Sequence, residues 1–225
     1  MEAQHQLLLP PIWIVLPNPP IACDLGVSID PSLSFSPHIS TIVSKARARC
    51  ALFLKTFLSR DSKIMVKFFT CYVRPLLELS SPVWSPITSS NINKLENVQR
   101  YFTNLINGCT YLPYHQRLSN LSLQSLHQRR IIADLSTLHS LVSGRFNITL
   151  SPHLLYIPPS VTRGHNLKIV TPLVHYSSSK QNFLSRTTSL WNDLPLSLID
   201  STSASFRRRL SKHIHDPFLL STSSL

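Results

Sequence analysis

The residues best suited to chemistry in this chain are basic, and they fall in two groups. The first group lies in the N-terminal half and contains Lys45, Arg47, Arg49 and Lys55. The second lies near the C-terminus and contains Arg207, Arg208, Arg209 and Lys212. Such side chains hold phosphate backbones through their charge and through counterion release. We therefore predict that these eight residues contact nucleic acid, the alternative being that they form solvated helix faces that keep the protein soluble.

The charge of the whole chain agrees with this prediction. Its 225 residues include 22 Lys and Arg against 10 Asp and Glu, which gives a formal net charge of +12. Charged residues make up only 14% of the chain and hydrophobic residues 43%, so the positive balance comes from scarce acids. A disordered chain driven by charge is not expected. The length is sufficient for one or two domains with a buried core.

Enzymatic chemistry is poorly supported by the remaining residues. Polymerases and nucleases need two or three carboxylates around paired metal ions, and the ten acids here are scattered, with no Asp-x-Asp motif. Scattered acids can still converge in a fold. The four glycines are too few for a dinucleotide fingerprint or a P-loop. We therefore expect no catalytic residue, no metal site, no cofactor and no small-molecule substrate.

The cysteines and the N-terminal segment bear on the cellular setting. Cys23, Cys50, Cys71 and Cys109 lie tens of residues apart, which predicts buried, reduced thiols rather than a disulfide framework or a zinc site. The apolar stretch at residues 7–16 is broken by Pro10 and Pro11 and is too short to span a bilayer. We expect no membrane association, and an intracellular compartment, cytoplasm or nucleus, rather than secretion.

Hydrophobic periodicity predicts the elements that position the first basic group. Residues 25–29 alternate apolar and polar side chains, as a short half-buried strand does. Residues 39–58 carry apolar side chains at helical spacing, with the bases on other faces. A second helix is predicted from Asp61 or Ser62 to Pro75, followed by a loop around Trp84. Two further helices are predicted, at residues 89–108 and 123–142.

The predicted fold class is mainly α, with a short N-terminal strand, a bundle of roughly four helices and a partly irregular basic C-terminal region. Residues 1–23 are predicted to be an irregular Pro-rich leader, residues 24–145 a helical domain and residues 146–225 a basic Pro/Ser-rich region. Within that last region, residues 183–191 and 203–214 are predicted to be short helices.

Aromatic side chains in the helical domain have two interpretations. They could stack on nucleobases or pack in the core, and their position on apolar stripes favours the core. They are Phe53, Phe57, Phe68, Phe69, Tyr72, Tyr101 and Phe102.

Several phrases occur in a fixed order along the chain. They are L-G-V at 25–27, V-R-P-L-L-E at 73–78, P-V-W-S-P at 82–86, L-E-N-V-Q-R at 95–100 and S-L-W-N-D-L-P at 189–195. This ordered set resembles the region after the catalytic palm in reverse transcriptases of jockey-like non-LTR retrotransposons. Leu79 departs from the pattern, since the family tends to carry an aromatic residue after the acid.

The resemblance implies a C-terminal fragment with a thumb-like helical domain. In the family, the polymerase carboxylates lie upstream of the L-G-V strand, so the resemblance implies that this chain lacks them. It also implies that the partner is RNA or an RNA–DNA duplex. Two alternatives remain open: a non-functional relic or orphan helical protein with protein–protein contacts only, and a domesticated binding module.

Overall fold

The computed structural model describes residues 21–146, 167–170 and 182–214, so most of the predicted leader and much of the region after residue 146 lie outside the described residues. The described chain is mainly helical, as predicted. Two strands come first, β1 at Ala22–Asp24 and β2 at Val27–Ile29. The helices of the N-terminal part are α1 Ser36–Thr56, α2 Ser62–Phe68, a π-helical turn Phe69–Val73, α3 Arg74–Glu78, α4 Ser81–Trp84, α5 Ser89–Asn104, α6 Tyr114–Asn120 and α7 Leu126–Val142. The helices of the C-terminal part are α8 Phe183–Asn192, α9 Leu196–Ile199 and α10 Ser203–His213.

The predicted strand is shorter than expected and belongs to a hairpin. β1 pairs antiparallel with β2, with Cys23 opposite Ser28. Leu25 and Gly26 form the two-residue turn, and both have a positive φ, 44° and 83°. Paired left-handed residues match the twist of a two-residue hairpin. The first two residues of the predicted strand therefore form a turn.

Helix α1 confirms the predicted apolar stripe. Its buried residues are His38, Ile39, Ile42, Val43, Ala46, Cys50 and Phe53. The helix begins at Ser36, three residues before the predicted start, because Asp30 organises the preceding turn. The Asp30 carboxylate accepts hydrogen bonds from the backbone N–H groups of Ser34 (3.1 Å) and Phe35 (2.7 Å).

The second predicted helix does not stop at Pro75. Asp61 is its N-cap, and its Oδ1 accepts hydrogen bonds from the N–H groups of Lys63 (2.9 Å) and Ile64 (3.3 Å). Beyond α2, the π-helical turn leads directly into α3, where Pro75 is the second residue. A proline at the start of a helical segment needs no N–H donor, and the wider turn before it accommodates the ring. Trp84, predicted to lie in a loop, ends the short helix α4 and is buried.

The next helices differ from the prediction at their ends. The predicted helix at 89–108 ends at Asn104, and Gly108 adopts its left-handed conformation, φ 78°, in the turn that follows. Helix α6 was not predicted. Helix α7 begins three residues later than expected because Ser125 caps it, accepting a hydrogen bond from the N–H of Gln128 at 3.0 Å.

Two hydrophobic clusters form the core, and α7 contributes to both. Leu126, at its start, belongs to the cluster built around α1, the π-helical turn and α5. Further along α7, Leu135 and Leu138 pack in a second cluster with Trp191 of α8 and Phe206 of α10. Helix α7 therefore joins the N-terminal helices to the C-terminal ones. Of these, α8 and α10 form close to their predicted bounds, whereas α9 was not predicted.

The cysteines are only partly as expected. All four are free; Cys50 and Cys109 are buried, whereas Cys23 and Cys71 are exposed. The prediction of buried thiols is thus wrong for two of the four. Cys23 lies on the hairpin and Cys71 in the π-helical turn, where neither side chain faces the core.

Candidate nucleic-acid interface

The four bases of α1 are all exposed, but they do not share one face. Lys45 and Arg47 flank the buried Ala46, so they point about 100° to either side of it. Arg49 follows Lys45 by one turn and lies on the same flank. Lys55 comes two residues after the buried Phe53, which places it on the face opposite the core. The first group therefore divides into one pair, Lys45 and Arg49, and two separate bases.

Arg49 is also tied to the neighbouring segment. Its Nη1 donates a hydrogen bond to the carbonyl oxygen of Tyr72 at 2.8 Å. The guanidinium has five N–H donors, and this bond uses one of them. The bond thus holds the Arg49 charge between α1 and the π-helical turn.

Other bases of this region bond the end of a helix or line a groove beside α2. Arg60 donates hydrogen bonds to the carbonyl oxygens of Leu54 (3.1 Å) and Phe57, at the C-terminal end of α1, where a positive charge is favourable. Lys63 and Lys67 lie one turn apart on α2. They line a groove of about 410 Å³ together with Ser62, Val66, Thr70, Asn120, Leu121 and Ser122.

The four bases of α10 are exposed around a helix that buries Phe206 and Leu210. Arg209 Nη1 donates a hydrogen bond to the carbonyl oxygen of Ser197 at 3.3 Å. Arg208 and Lys212 lie one turn apart on α10. The second group thus contains one such pair, as the first does, but it spans six residues rather than eleven.

Arg207 and Arg208 share a groove between α7 and α10. The groove has a volume of about 340 Å³ and is lined by Gln124, Arg129, Ile132, Ala204, Arg207, Arg208 and Ser211. Gln124 Nε2 donates a hydrogen bond to Ser211 Oγ at 2.7 Å and so fixes one wall. Because two of its arginines come from α10 and one from α7, only the packing of the C-terminal helices creates it.

Arg129 is the groove residue that sequence reasoning missed. Its guanidinium forms a two-point ion pair with Glu78 of α3, with Nη2 2.8 Å from Oε2 and Nε bonded to Oε1. Hydrogen bonding to Glu78 raises the pKa of Arg129. The Arg129–Arg130 dipeptide was the one available signal. Since Glu78 offsets the charge of Arg129, Arg207 and Arg208 supply the net positive charge of the groove.

Several acids in the described part of the chain have structural roles. Asp30 and Asp61 order the starts of α1 and α2, Glu78 and Asp134 pair with arginines, and Glu96 bonds the start of α7. Across residues 21–146, 167–170 and 182–214, no group of three or more His, Cys, Asp or Glu is arranged to hold a metal ion. Over the same ranges no helix is long and apolar enough to cross a membrane.

Comparison with known proteins gives partial similarity. No protein-family model matches the chain, and no solved structure matches it. An uncharacterized protein of Caenorhabditis elegans is 26% identical over 127 residues, which cover 55% of this chain and 64% of that protein. A probable RNA-directed DNA polymerase from transposon X-element of Drosophila melanogaster is 29% identical over 108 residues, 45% of this chain and 12% of that protein.

The matched part is short compared with both relatives, since it spans less than two thirds of the first and about an eighth of the second. The similarity to the polymerase is distant, and it extends over nearly half of this chain. The chain therefore contains a region related to a retrotransposon reverse transcriptase.

Proposed function

We propose that this chain is a catalytically incomplete C-terminal part of a jockey-like non-LTR retrotransposon reverse transcriptase, whose thumb-like helices hold RNA or an RNA–DNA duplex. The partial similarity to a transposon RNA-directed DNA polymerase supports the family. The ordered phrases that run from the L-G-V turn to the S-L-W-N-D-L-P segment support a position after the palm.

One observation carries the binding proposal. All eight bases predicted to contact nucleic acid are exposed, and within the described residues none of them forms an ion pair with a carboxylate. In a chain of net charge +12, such groups attract a polyanion and release its counterions. The groove between α7 and α10 gathers two of them and supports a phosphate contact there.

Salt-dependent binding tests the proposal directly. Affinity for a labelled RNA–DNA duplex is measured by fluorescence anisotropy over a series of salt concentrations. We expect log K to fall linearly with log[salt], by about 0.7–0.9 for each phosphate contact. Charge reversal of Lys45, Arg47, Arg49 and Lys55 together should weaken binding and reduce that slope. A flat salt dependence, or unchanged binding by the charge-reversed variant, would contradict the proposal.

The absence of polymerase activity is tested separately. The full chain is incubated with a primed RNA template, deoxynucleotides and Mg²⁺, and extension of the primer is followed on a gel. We expect none, because the proposal places the metal-binding carboxylates upstream of this region. Nucleotide incorporation by the purified chain would contradict the proposed incomplete state without bearing on the duplex contacts.

Protein–protein contact is the competing function. Exposed apolar side chains favour it: Leu58 is 90% exposed and Tyr111 98% exposed. Under that alternative, binding to the duplex would be weak and independent of the eight bases. The salt series therefore distinguishes the two functions.

A further inference from the structure

Four aromatic rings form a continuous stack between the end of α1 and the segment of α2 with the π-helical turn. At its centre, the rings of Phe53 and Phe68 lie 3.7 Å apart with an interplanar angle of 13°. Phe57 stacks on Phe53 at 4.8 Å and 27°, and Tyr72 lies beside Phe68 at 5.6 Å and 17°. The order is Phe57, Phe53, Phe68, Tyr72, with the four planes close to parallel.

Both ends of this stack face solvent. Phe53 is only 6% exposed, whereas Phe57 is 51% exposed and Tyr72 is 61% exposed. The rings line an open, apolar groove of about 320 Å³ with Arg49, Leu52 and Thr56. We call it the aromatic groove. Large aromatic side chains are normally buried in a core or an interface, so the exposed ends offer planar surfaces for a planar ligand.

The rim of the aromatic groove is positively charged. Arg49 is held there by its hydrogen bond to the carbonyl oxygen of Tyr72, at 2.8 Å, and Lys45 lies one turn away on the same flank. From Ser36 to Leu77 the chain contains a single acid, Asp61, and its carboxylate caps α2. Positive charge beside exposed ring faces complements a ligand that carries both anionic groups and planar rings.

Single-stranded nucleic acid has that combination. Its bases are free to stack on aromatic side chains, while its phosphates contact the neighbouring basic side chains of the protein. In a duplex the bases are already stacked on one another, and placing one in a groove requires flipping it out at a cost. A predominantly apolar groove with a cationic rim therefore fits an unpaired base better than a duplex.

We propose that the aromatic groove binds an unpaired nucleobase of a single-stranded segment, which stacks on Tyr72 or Phe57 while Arg49 contacts the adjoining phosphate. The inference deepens the proposed function and rests on it, since it assigns a single-stranded region of the bound nucleic acid to one site. It also separates two types of contact: ring stacking here, and phosphate contacts at the groove between α7 and α10.

The test uses the full chain and a fluorescein-labelled oligothymidylate of about 12 nucleotides, within the usual length range of single-strand sites. Tyr72→Leu and Phe57→Leu keep an apolar side chain but remove the ring. We expect at least one of them to raise Kd by about 5- to 150-fold, the range for loss of a stacked base. Tyr101→Leu is the matched control because Tyr101 is 59% exposed and lies on α5. Its Kd should equal that of the wild type.

An abasic oligonucleotide of the same length and charge separates stacking from phosphate contact. We expect the wild type to bind the abasic strand with the same Kd as the affected leucine variant has for oligothymidylate. The affected leucine variant should have the same Kd for both strands. Equal wild-type affinity for the two strands, with no effect of either substitution, would overturn the inference. Salt-dependent binding in that same experiment would leave the proposed function intact, whereas salt-independent binding would refute that function as well.

Two further measurements test for unfolding and for self-association. Unchanged circular dichroism and urea midpoints for the leucine variants show that a weaker affinity is not due to unfolding. Sedimentation velocity shows whether a second copy of the chain occupies the aromatic groove. A wild-type dimer that Tyr72→Leu converts to monomer would overturn the nucleobase inference in favour of self-association.

Discussion

Glu96 Oε2 on α5 accepts a hydrogen bond from the backbone N–H of His127 at 3.1 Å, although the two residues are 31 positions apart. The other carboxylate oxygen accepts from the N–H of Leu126 at 3.2 Å and from the phenol of Tyr114. Glu96 is fully buried, so its charge is stabilised by these donors and by the N-terminal end of α7. This acid of the L-E-N-V-Q-R phrase thus holds α5, α6 and α7 together.

Replacement of Glu96 should destabilise the protein strongly. Glu96→Ala leaves three donors, one buried and two partly buried, without their acceptor, and we expect a loss of about 3 kcal/mol or more in the free energy of unfolding. Glu96→Gln keeps a side-chain oxygen and should lose less. Urea denaturation measures both. Asp200→Asn, which neutralises an exposed acid, is the control; an equally small change in all three variants would contradict the capping role.

Protonation of Asp30 should lower the free energy of unfolding at acid pH. Burial by itself would raise the pKa of Asp30, but hydrogen bonds from Ser32, Ser34 and the N–H of Phe35 outweigh it and lower the pKa from 3.8 to about 2. A lowered folded pKa stabilises the protein above the unfolded value, and this stabilisation is lost as pH falls from about 4 through 2.

We expect Asp30 to contribute about 1–2 kcal/mol at neutral pH, allowing for solvent screening. Urea midpoints measured from pH 6 down to pH 2 should fall less steeply for Asp30→Asn than for the wild type. Asp24→Asn removes an exposed carboxylate of the hairpin and should keep the wild-type profile. Parallel profiles for the wild type and Asp30→Asn would refute this prediction.

Asp134 and Arg186 form a buried ion pair, and we expect their contributions to the free energy of unfolding to be strongly coupled. Arg186 Nε lies 2.8 Å from Asp134 Oδ2, and the side chains are 6% and 8% exposed for the aspartate and the arginine. Burial raises the pKa of Asp134 although Arg186 lowers it, so desolvation is only partly offset. Arg186 also donates to the carbonyl oxygen of Pro82, which connects α8 to α4.

Either single variant, Asp134→Leu or Arg186→Met, leaves a buried charge without its partner and should cost about 3–5 kcal/mol. The double variant should cost clearly less than the sum, because neither member of the ion pair is then left buried without the other. A double-mutant cycle from urea denaturation gives the coupling energy. Additive losses would show that the two residues stabilise the fold independently.

The groove between α7 and α10 should account for a defined part of the salt dependence. Arg207→Gln with Arg208→Gln removes two phosphate contacts if both are made, and should reduce the slope of log K against log[salt] by about 1.4–1.8. Lys94→Gln with Arg145→Gln removes the same charge from two exposed positions outside this groove. If both double variants reduce the slope equally, the α7–α10 groove has no special role and only net charge matters.

The sequence predicted a helix best where apolar residues at helical spacing and a local cap were enough to define it. The α1 stripe, the Asp61 cap and the short helices α8 and α10 follow from local spacing and from side chains that bond their own backbone. The errors occur where neighbouring elements intervene. Pro75 was expected to end a helix, but the π-helical turn accommodates it. Trp84 was expected in a loop, yet it ends helix α4, and its Nε1 donates a hydrogen bond to the carbonyl oxygen of Leu79 at 2.7 Å.

The candidate interface also has features that follow from local sequence and features that depend on packing. Composition and spacing were enough to select eight exposed bases, because a charged side chain next to a buried apolar stripe has only solvent to face. Spacing within α1 also places Lys45 and Arg49 on one flank. By contrast, Arg129 joins Arg207 and Arg208 only through the packing of α10 on α7.

By itself, the sequence determined the mainly helical fold, the positive charge and the phrases that resemble a reverse transcriptase. Only the tertiary structure decided that Glu96 is a buried cap, that two arginines of α10 share a groove with α7, and that four aromatic rings stack with their ends in solvent. The reason is physical. Helical periodicity and charge are local properties of the chain, whereas a groove or a buried ion pair depends on which distant faces meet, and that is settled by the packing of both cores together.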